Sequence, residues 1–165
     1  MARPALALRL ERVEYGHPDA MRLIADVQLE YVERYGSPDE SPIDPLDFVP
    51  PAGSFYVGYR GDAAVTTGAW RRSSIEVFGT AHTAEIKRMY VAPEARGSGY
   101  ARTVLDLLET SAAAAGAEAL VLETGMRQPE AIGLYTSAGY VAIPGFGYYC
   151  GSELSRCFGK DLRER

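Results

Sequence analysis

The sequence is poor in the residues from which metal sites and disulfide frameworks are built. Its two cysteines, Cys150 and Cys157, do not form a C-x-x-C pair, and no histidine lies near them. The two histidines, His17 and His82, are themselves far apart in sequence. We therefore expect no metal site and no disulfide framework, only two ordinary thiols in a reducing compartment.

Long apolar runs and excess positive charge are also absent. No apolar run approaches the roughly 18 residues of a membrane-spanning helix, and the short run near the N-terminus is interrupted by Arg9. The formal net charge of −5 argues against a nucleic-acid-binding surface and would more readily attract a cationic small molecule. We therefore predict a cytoplasmic protein with no nucleic-acid and no membrane partner.

Two common nucleotide-binding signatures are missing as well. The chain contains no G-x-x-x-x-G-K-[ST] segment, which argues against a P-loop nucleotide hydrolase. Gly97 and Gly99 are not followed by the third glycine of G-x-G-x-x-G, and no second βαβ half is present. These absences also argue against a dinucleotide-binding fold.

The chain does contain a strand, a glycine-bearing turn and a helix between residues 85 and 115. The strand ends before Pro93, which cannot donate to a sheet ladder. Gly97 and Gly99 then precede a segment whose apolar residues recur with a helical period. The start of such a helix exposes backbone N–H groups to an anion, and Arg96 adds positive charge. The unit predicts a phosphate-binding turn, although glycines before a helix as often form only a turn.

Composition and periodicity predict one domain, residues 1–165, around a mixed sheet. Hydrophobic residues make up 47% of the chain and charged residues 24%, which are ordinary values for a globular protein. Alternating or apolar stretches predict strands at residues 5–13, 53–59, 63–71, 82–91, 118–123, 140–143 and 154–162. Helical periods predict helices at 20–35, 99–115 and 128–137, with Met21, Ile24, Val27, Leu29 and Tyr31 as candidate apolar positions of the first. The order predicts helices on both faces of the sheet, with 118–123 parallel to 85–91.

Two motifs resemble those of the GNAT N-acetyltransferase superfamily. The family's acetyl-CoA signature, Q/R-x-x-G-x-G/A, is matched from Arg96 to Ala101 and follows Val91-Ala92-Pro93. The second motif follows the apolar strand and is matched by Gln128, Ala131, Tyr135, Gly139 and Tyr140. The resemblance implies an α/β (α+β) fold with a mixed, mostly antiparallel sheet of six to seven strands. It also implies helices on both faces of the sheet and a splayed parallel pair of strands.

The resemblance further implies acetyl-CoA as the acetyl donor and assigns residues to it. In the family, the pyrophosphate lies on the backbone N–H groups of the turn and the pantetheine pairs with the preceding strand. The cofactor-binding residues implied here are Met89, Tyr90, Val91, Arg96, Gly97, Ser98, Gly99, Tyr100, Ala101, Gln128, Ala131 and Tyr135. Many members have Asn at the position of Gln128, so the contact made by this longer side chain differs from theirs.

The implied chemistry is direct attack of a neutral amine on the thioester, which requires a base and an acid. Tyr135 matches the family's proton donor, while a tyrosine packed in the core is the alternative interpretation. Glu85, at the start of the cofactor strand, is the candidate base, alone or through water. Glu123, at the end of the neighbouring strand, is a second candidate.

The predicted function is transfer of an acetyl group to a primary amine of a small molecule or peptide. The alternative is a non-catalytic acyl-CoA-binding sensor or interaction module with the same fold. We expect the acceptor to contact the first helix and the loops at 36–51 and 143–152, the second containing Phe146, Tyr148 and Tyr149. Acidic residues at 39–47 would favour a cationic acceptor. The sequence does not decide between a monomer and a homodimer.

Overall fold

The computed structural model describes residues 7–164 and contains one mixed sheet with helices packed against it. The strands are β1 (Leu8–Arg12), β2 (Gly53–Arg60), β3 (Ala63–Ser73), β4 (Thr83–Val91), β5 (Ala119–Gly125), β6 (Val141–Ala142) and β7 (Ser155–Asp161). The α-helices are α1 (Pro18–Tyr35), α2 (Tyr100–Ala114) and α3 (Pro129–Ser137), with short 3-10 turns at Pro45–Phe48, Pro93–Ala95 and Leu162–Glu164. The sheet order is β1-β2-β3-β4-β5-β7-β6, so the predicted fold class is confirmed. No helix within residues 7–164 has the length and apolar character needed to cross a membrane.

The predicted elements are all present, with ends that differ by a few residues. The first strand was predicted over 5–13 and covers Leu8–Arg12, while residues 5 and 6 lie outside the described part of the chain. The strand predicted over 140–143 is reduced to Val141–Ala142. The Ile143 N–H still donates to the Cys157 carbonyl at 3.0 Å, and the pairing does not extend further because Pro144 has no backbone N–H to donate.

Helix α1 begins and ends at recognisable capping residues. The His17 side chain accepts a hydrogen bond from the Asp19 N–H, and Pro18 occupies the first turn. Gly36 ends the helix with φ of 84°, and its N–H bonds to the Val32 carbonyl. The buried face consists of Ala20, Leu23, Ile24 and Val27.

Two of the predicted apolar positions of α1 were wrong. Met21 is 45% exposed and Leu29 65% exposed. The buried stripe instead follows the three- and four-residue spacing from Ala20 through Val27, which places Met21 and Leu29 on the solvent side of the helix.

Helices cover both faces of the sheet, as predicted. The buried face of α1 packs with Phe55, Val57 and Val65 in one hydrophobic cluster. Helix α2 contributes Val104, Leu105 and Leu108 to a second cluster, together with Trp70 and Ile86. The neighbours Ala69 and Trp70 belong to different clusters because successive side chains of a strand point to opposite faces.

Strands β4 and β5 form a parallel pair that separates after three residue pairs. Their register runs from Thr83 opposite Ala119 to Glu85 opposite Val121 and then ends. Beyond that point β5 remains paired with β7, and β4 remains paired with β3 as far as Val91. The predicted splayed pair is therefore confirmed, and it leaves a cleft between the two strands.

A β-bulge in β4 lies at the start of this cleft. The register with β3 shifts between Thr67 and Ala69, and Arg88 has φ of 57°. The bulge changes which side chains of β4 point to each face of the sheet. Ile86 packs in the α2 cluster, whereas Tyr90, four residues later, packs in the α1 cluster. The Thr67 hydroxyl donates a 2.6 Å hydrogen bond to the Arg88 carbonyl and holds the bulge in place.

Glycine 68, opposite the bulge, allows α2 to approach β3 closely. A Cβ atom on Gly68 would collide with Val104 Cγ1, whereas a Cβ atom on Gly133 in α3 would meet nothing within 4 Å. We expect Gly68→Ala to lower the free energy of unfolding by about 1–3 kcal/mol, because overpacking forces neighbours to move. Gly133→Ala should raise it by about 0.5–1 kcal/mol, because alanine is the better helix former. Urea denaturation of both variants measures this, and equal stability of Gly68→Ala and wild type would contradict the close packing.

Candidate functional site

The cleft between β4 and β5 has a volume of about 360 Å³ and collects nearly all the predicted cofactor-binding residues. Eleven of them line it: Met89, Tyr90, Val91, Arg96, Gly97, Gly99, Tyr100, Ala101, Gln128, Ala131 and Tyr135. Ser98 does not line the cleft, and neither does Glu85. The cleft is within the size range of ligand-binding pockets.

The glycine turn reaches the cleft just before the start of α2. Gly97 has φ of 87° and Gly99 has φ of 79°, a left-handed conformation that glycine adopts at little cost. Gly99 is the N-cap of α2, and no side chain caps the helix there. The N–H groups of the first helical turn have no acceptors within the helix, and no side chain at Gly97 or Gly99 covers them. An anion such as a pyrophosphate fits this cradle.

Arg96 links the turn to two other elements. Its Nε donates a 2.9 Å hydrogen bond to the Val91 carbonyl, and its Nη2 lies 2.9 Å from a carboxylate oxygen of Glu30 in α1. Glu30 also accepts from Arg34. The positive charge predicted at the mouth of the cleft is therefore present but is paired with an acid.

Tyr135 reaches the cleft from α3 and is 4% exposed. Its ring contacts Tyr140 edge-on, with 5.5 Å between the ring centroids. Its hydroxyl has no hydrogen-bond partner among the residues that the structure describes. Burial, with a smaller contribution from Tyr31, raises the pKa of Tyr135 well above its ordinary value. The hydroxyl therefore keeps its proton throughout the neutral range.

Glu85 is held in an ion pair away from the cleft. Arg71 donates to its carboxylate from Nε at 3.1 Å, and Nη2 of the same arginine lies 3.0 Å away. Arg71 also bonds Asp47 of the loop before β2 at 3.2 Å. The three side chains together join the 3-10 turn at Pro45–Phe48 to the point where the parallel pairing of β4 and β5 ends.

Glu123 lies near the C-terminal end of β5 and lines the cleft. Its carboxylate accepts hydrogen bonds from the Tyr149 N–H at 3.3 Å and from the Ser155 hydroxyl at 3.1 Å. It forms no ion pair within residues 7–164. Gly147 allows the loop to approach it, because a Cβ atom there would lie 2.5 Å from the carboxylate.

A second pocket of about 260 Å³ adjoins the cleft. Six residues line both cavities: Tyr31, Asp39, Lys87, Glu123, Thr124 and Gln128. The remaining wall of the second pocket includes Tyr35, Ser37, Tyr149, Ser152 and Ser155. Burial raises the pKa of Tyr31 to about 12, with Asp39 contributing in the same direction. The junction of the two cavities therefore contains acids, a lysine and a neutral tyrosine.

Asp39 fastens the loop after α1 to the bulge. One carboxylate oxygen accepts from Arg88 Nη1 at 3.2 Å, and the other accepts from Ser41 and from the Tyr149 hydroxyl. Burial would raise the pKa of Asp39, but the hydrogen bonds from Ser41 and the charges of Lys87 and Arg88 outweigh it and lower the pKa. Asp39 is therefore ionised and fully engaged.

The other acids of this loop are largely engaged too. Asp47 bonds Arg71, and Asp44 accepts the Leu46 N–H at 3.0 Å at the start of the 3-10 turn. Their charges are thus used within the fold, which weakens the prediction that they attract a cationic acceptor.

Sequence reasoning did not single out Lys87 and Arg88. Both are charged residues inside a strand that the apolar pattern predicts to be buried, and such an interruption is a usable signal of a functional position. Their partner Asp39 lies 49 residues away from Arg88, so no local pattern indicates the pairing.

Comparison with known proteins gives consistent matches. A model of the Acetyltransferase (GNAT) family matches residues 20–140. A protein of Azospirillum brasilense named an IAA acetyltransferase is 32% identical over 142 residues, which are 86% of this chain and 90% of that protein.

Solved structures share the fold. An acyl-CoA N-acyltransferase, so named, of Klebsiella pneumoniae is 27% identical with a TM-score of 0.76, over 94% of this chain and 97% of that one. An acetyltransferase of Salmonella typhimurium, solved with its cofactor acetyl-CoA, is 17% identical with a TM-score of 0.67, over 96% of each chain.

The Tyr149 hydroxyl joins the two loops beside the second pocket. It accepts the Glu40 N–H at 2.7 Å and donates to Asp39. We expect Tyr149→Phe to lower the free energy of unfolding by about 1 kcal/mol and to speed amide hydrogen exchange at Glu40. Tyr148→Phe is the matched control, because Tyr148 is 58% exposed and should change stability by less than about 0.5 kcal/mol. Unchanged exchange at Glu40 in Tyr149→Phe would contradict the bridging role.

Proposed function

Because this chain belongs to the GNAT acetyltransferase family, we propose that it transfers an acetyl group from acetyl-CoA directly to a primary amine of a small molecule or peptide. Membership of the family confirms the resemblance carried by the two motifs. The observation that carries the proposal is the meeting of an anion cradle, a protonated tyrosine and an unpaired carboxylate in one cleft. An adjoining pocket provides room for an acceptor.

The family uses acetyl-CoA, and the residues that line the cleft include groups suited to its pyrophosphate and pantetheine. The turn at residues 96–101 would hold the pyrophosphate through the N–H groups of residues 97–101, since the start of α2 has no side-chain cap. The Arg96 N–H is donated to the Pro93 carbonyl, so Arg96 would contribute through its side chain. The edge of β4 at Met89, Tyr90 and Val91 would pair with the pantetheine, because β5 no longer occupies that side. Ser98 would contribute through its backbone, while Gln128 and Ala131 line the opposite wall.

Acetyl-CoA supplies the acetyl group as an activated thioester. Tyr135 holds a proton at its hydroxyl that it can deliver to the departing thiolate. Its raised pKa keeps that proton in place until it is needed. The acceptor arrives as an ammonium ion and must lose a proton before it can attack.

We assign the base to Glu123 in preference to Glu85. Glu123 lines both cavities and has no cationic partner among the described residues, so its carboxylate is available to an ammonium group. Glu85 lines neither cavity, and Arg71 occupies its carboxylate. Glu85 remains the alternative base, acting through water.

Tyr135→Phe tests the acid. We expect kcat to fall by about 10²–10⁴-fold while the Kd for acetyl-CoA changes by less than about threefold, because only the proton is removed. Thiol release with a panel of amines measures the first quantity, and calorimetry measures the second. If wild type binds acetyl-CoA tightly and releases no thiol with any amine, the protein is a non-catalytic sensor.

The pH profile checks the same residue. An acid must be protonated to act, so activity is lost as pH rises through its pKa. Because the pKa of Tyr135 is raised, kcat should not decline between about pH 8 and pH 10, where an ordinary tyrosine would begin to ionise. A wild-type decline in that range that is absent from Tyr135→Phe would contradict the raised pKa.

Glu123→Gln and Glu85→Gln separate the two candidate bases. We expect Glu123→Gln to lower kcat/KM by about 10²-fold or more, because the amide cannot accept the ammonium proton. Glu85→Gln should retain activity within about fivefold, because its position outside both cavities makes it a matched control. The opposite pattern would assign the base to Glu85.

A further inference from the structure

Three charged side chains line both cavities, Asp39, Lys87 and Glu123, and a fourth, Arg88, lines the cleft and is paired with Asp39. Their formal charges sum to zero, but among the described residues only Arg88 and Asp39 of these four are hydrogen-bonded to each other. Arg88 is 7% exposed and is paired with Asp39 at 3.2 Å. Lys87 and Glu123 are the two charged side chains of the four that lie outside this buried pair.

Lys87 has no acid within hydrogen-bond distance in the described part of the chain. Its Nζ donates a 3.1 Å hydrogen bond to the Ser41 hydroxyl and lies 3.9 Å from Asp39, beyond hydrogen-bond distance. An ammonium group has three donors, so two of them have no acceptor in the described part of the chain. Lys87 is largely buried, and this burial lowers its pKa, with Asp39 and Glu85 acting in the opposite direction. A group with this combination is a site for an anion.

Glu123 is the anion left without a cation. Its two hydrogen bonds come from a backbone N–H and a serine hydroxyl, both neutral. It does not pair with Lys87, although both side chains line the same 260 Å³ pocket. The pocket therefore presents one positive and one negative group that are separate from each other.

We propose that the acceptor is a small amine that also carries a carboxylate, of the amino-acid class, with its amine at Glu123 and its carboxylate at Lys87. The proposal rests on the proposed acetyltransferase function and specifies its substrate. A ligand with both charges compensates both groups, whereas a simple amine leaves the largely buried Lys87 without a hydrogen-bonded anion.

The remaining wall of the second pocket suits a ligand of the size of an amino acid. The volume of about 260 Å³ lies slightly below the usual range for drug-sized ligands. Rings of Tyr31, Tyr35 and Tyr149 form apolar surfaces, and Ser37 and Ser152 provide hydrogen-bonding groups. An amino acid with an apolar or aromatic side chain matches these surfaces.

Matched acceptors test the proposal in the wild-type enzyme. Phenylalanine, phenylalaninamide and 2-phenylethylamine share a ring and an amine, but only the first has a carboxylate. With other amino acids and their decarboxylated amines in the same panel, we expect kcat/KM to favour the amino acid by about tenfold or more. Equal turnover, or preference for the decarboxylated amines, overturns the proposal and leaves the acetyltransferase intact. Absence of thiol release with every amine, charged or not, overturns the acetyltransferase function itself.

Lys87→Met tests the residue, with Arg12→Met as the control. Arg12 is exposed on β1, outside both cavities, and its change removes the same charge. We expect Lys87→Met to abolish the preference for carboxylates while the KM for acetyl-CoA stays within about threefold, and Lys87→Arg to restore part of it. Equal losses for all three phenyl acceptors would overturn the role of Lys87. If Lys87→Met does not fold, the wild-type panel still decides the acceptor class.

Discussion

The separation of β4 from β5 is the feature on which the whole site depends. Parallel strands are held together by their hydrogen-bond ladder, and this ladder ends at Glu85 and Val121. Both strands nevertheless stay supported, because β3 accompanies β4 as far as Val91 and β7 accompanies β5 along its length. The cleft therefore has two firm walls, and one of them is an unpaired strand edge that can offer its backbone groups to a ligand.

The bulge at Arg88 is stabilised from both its backbone and its side chain. A left-handed conformation costs a residue with a Cβ atom roughly 1–2 kcal/mol. Thr67 bonds the Arg88 carbonyl, and Asp39 bonds its guanidinium group, so contacts from two different elements offset that cost. The acid that fastens the loop is thus also the acid that neutralises the buried arginine. One ion pair sets both the shape of the strand and the position of the pocket wall.

The sequence predicts the parts of the site that depend on neighbours along the chain. Gly97 and Gly99 could be identified because a turn and a helix start are local patterns, and Tyr135 could be identified because it occupies the tyrosine position of the second family motif. The pairing of Glu85 with Arg71 could not be foreseen, because it depends on the register between β3 and β4. The contact of Tyr149 with Asp39 spans 110 residues. Whether a charged side chain is paired can therefore be known only from the three-dimensional structure, whereas the phosphate-binding turn can be predicted from the sequence.

The Tyr149 hydroxyl bond to the loop after α1 has a consequence for how this pocket could change during evolution. Two of the segments that line the second pocket, the loop after α1 and the loop before β7, are far apart in the sequence and are joined by this phenol group. A substitution that reshapes one loop removes the partner of the other, and it also disturbs the backbone that holds Glu123. New substrate preferences in this lineage would therefore require changes in both segments. A loop transplanted alone from a relative would lack the hydrogen bonds that Tyr149 makes with the loop after α1.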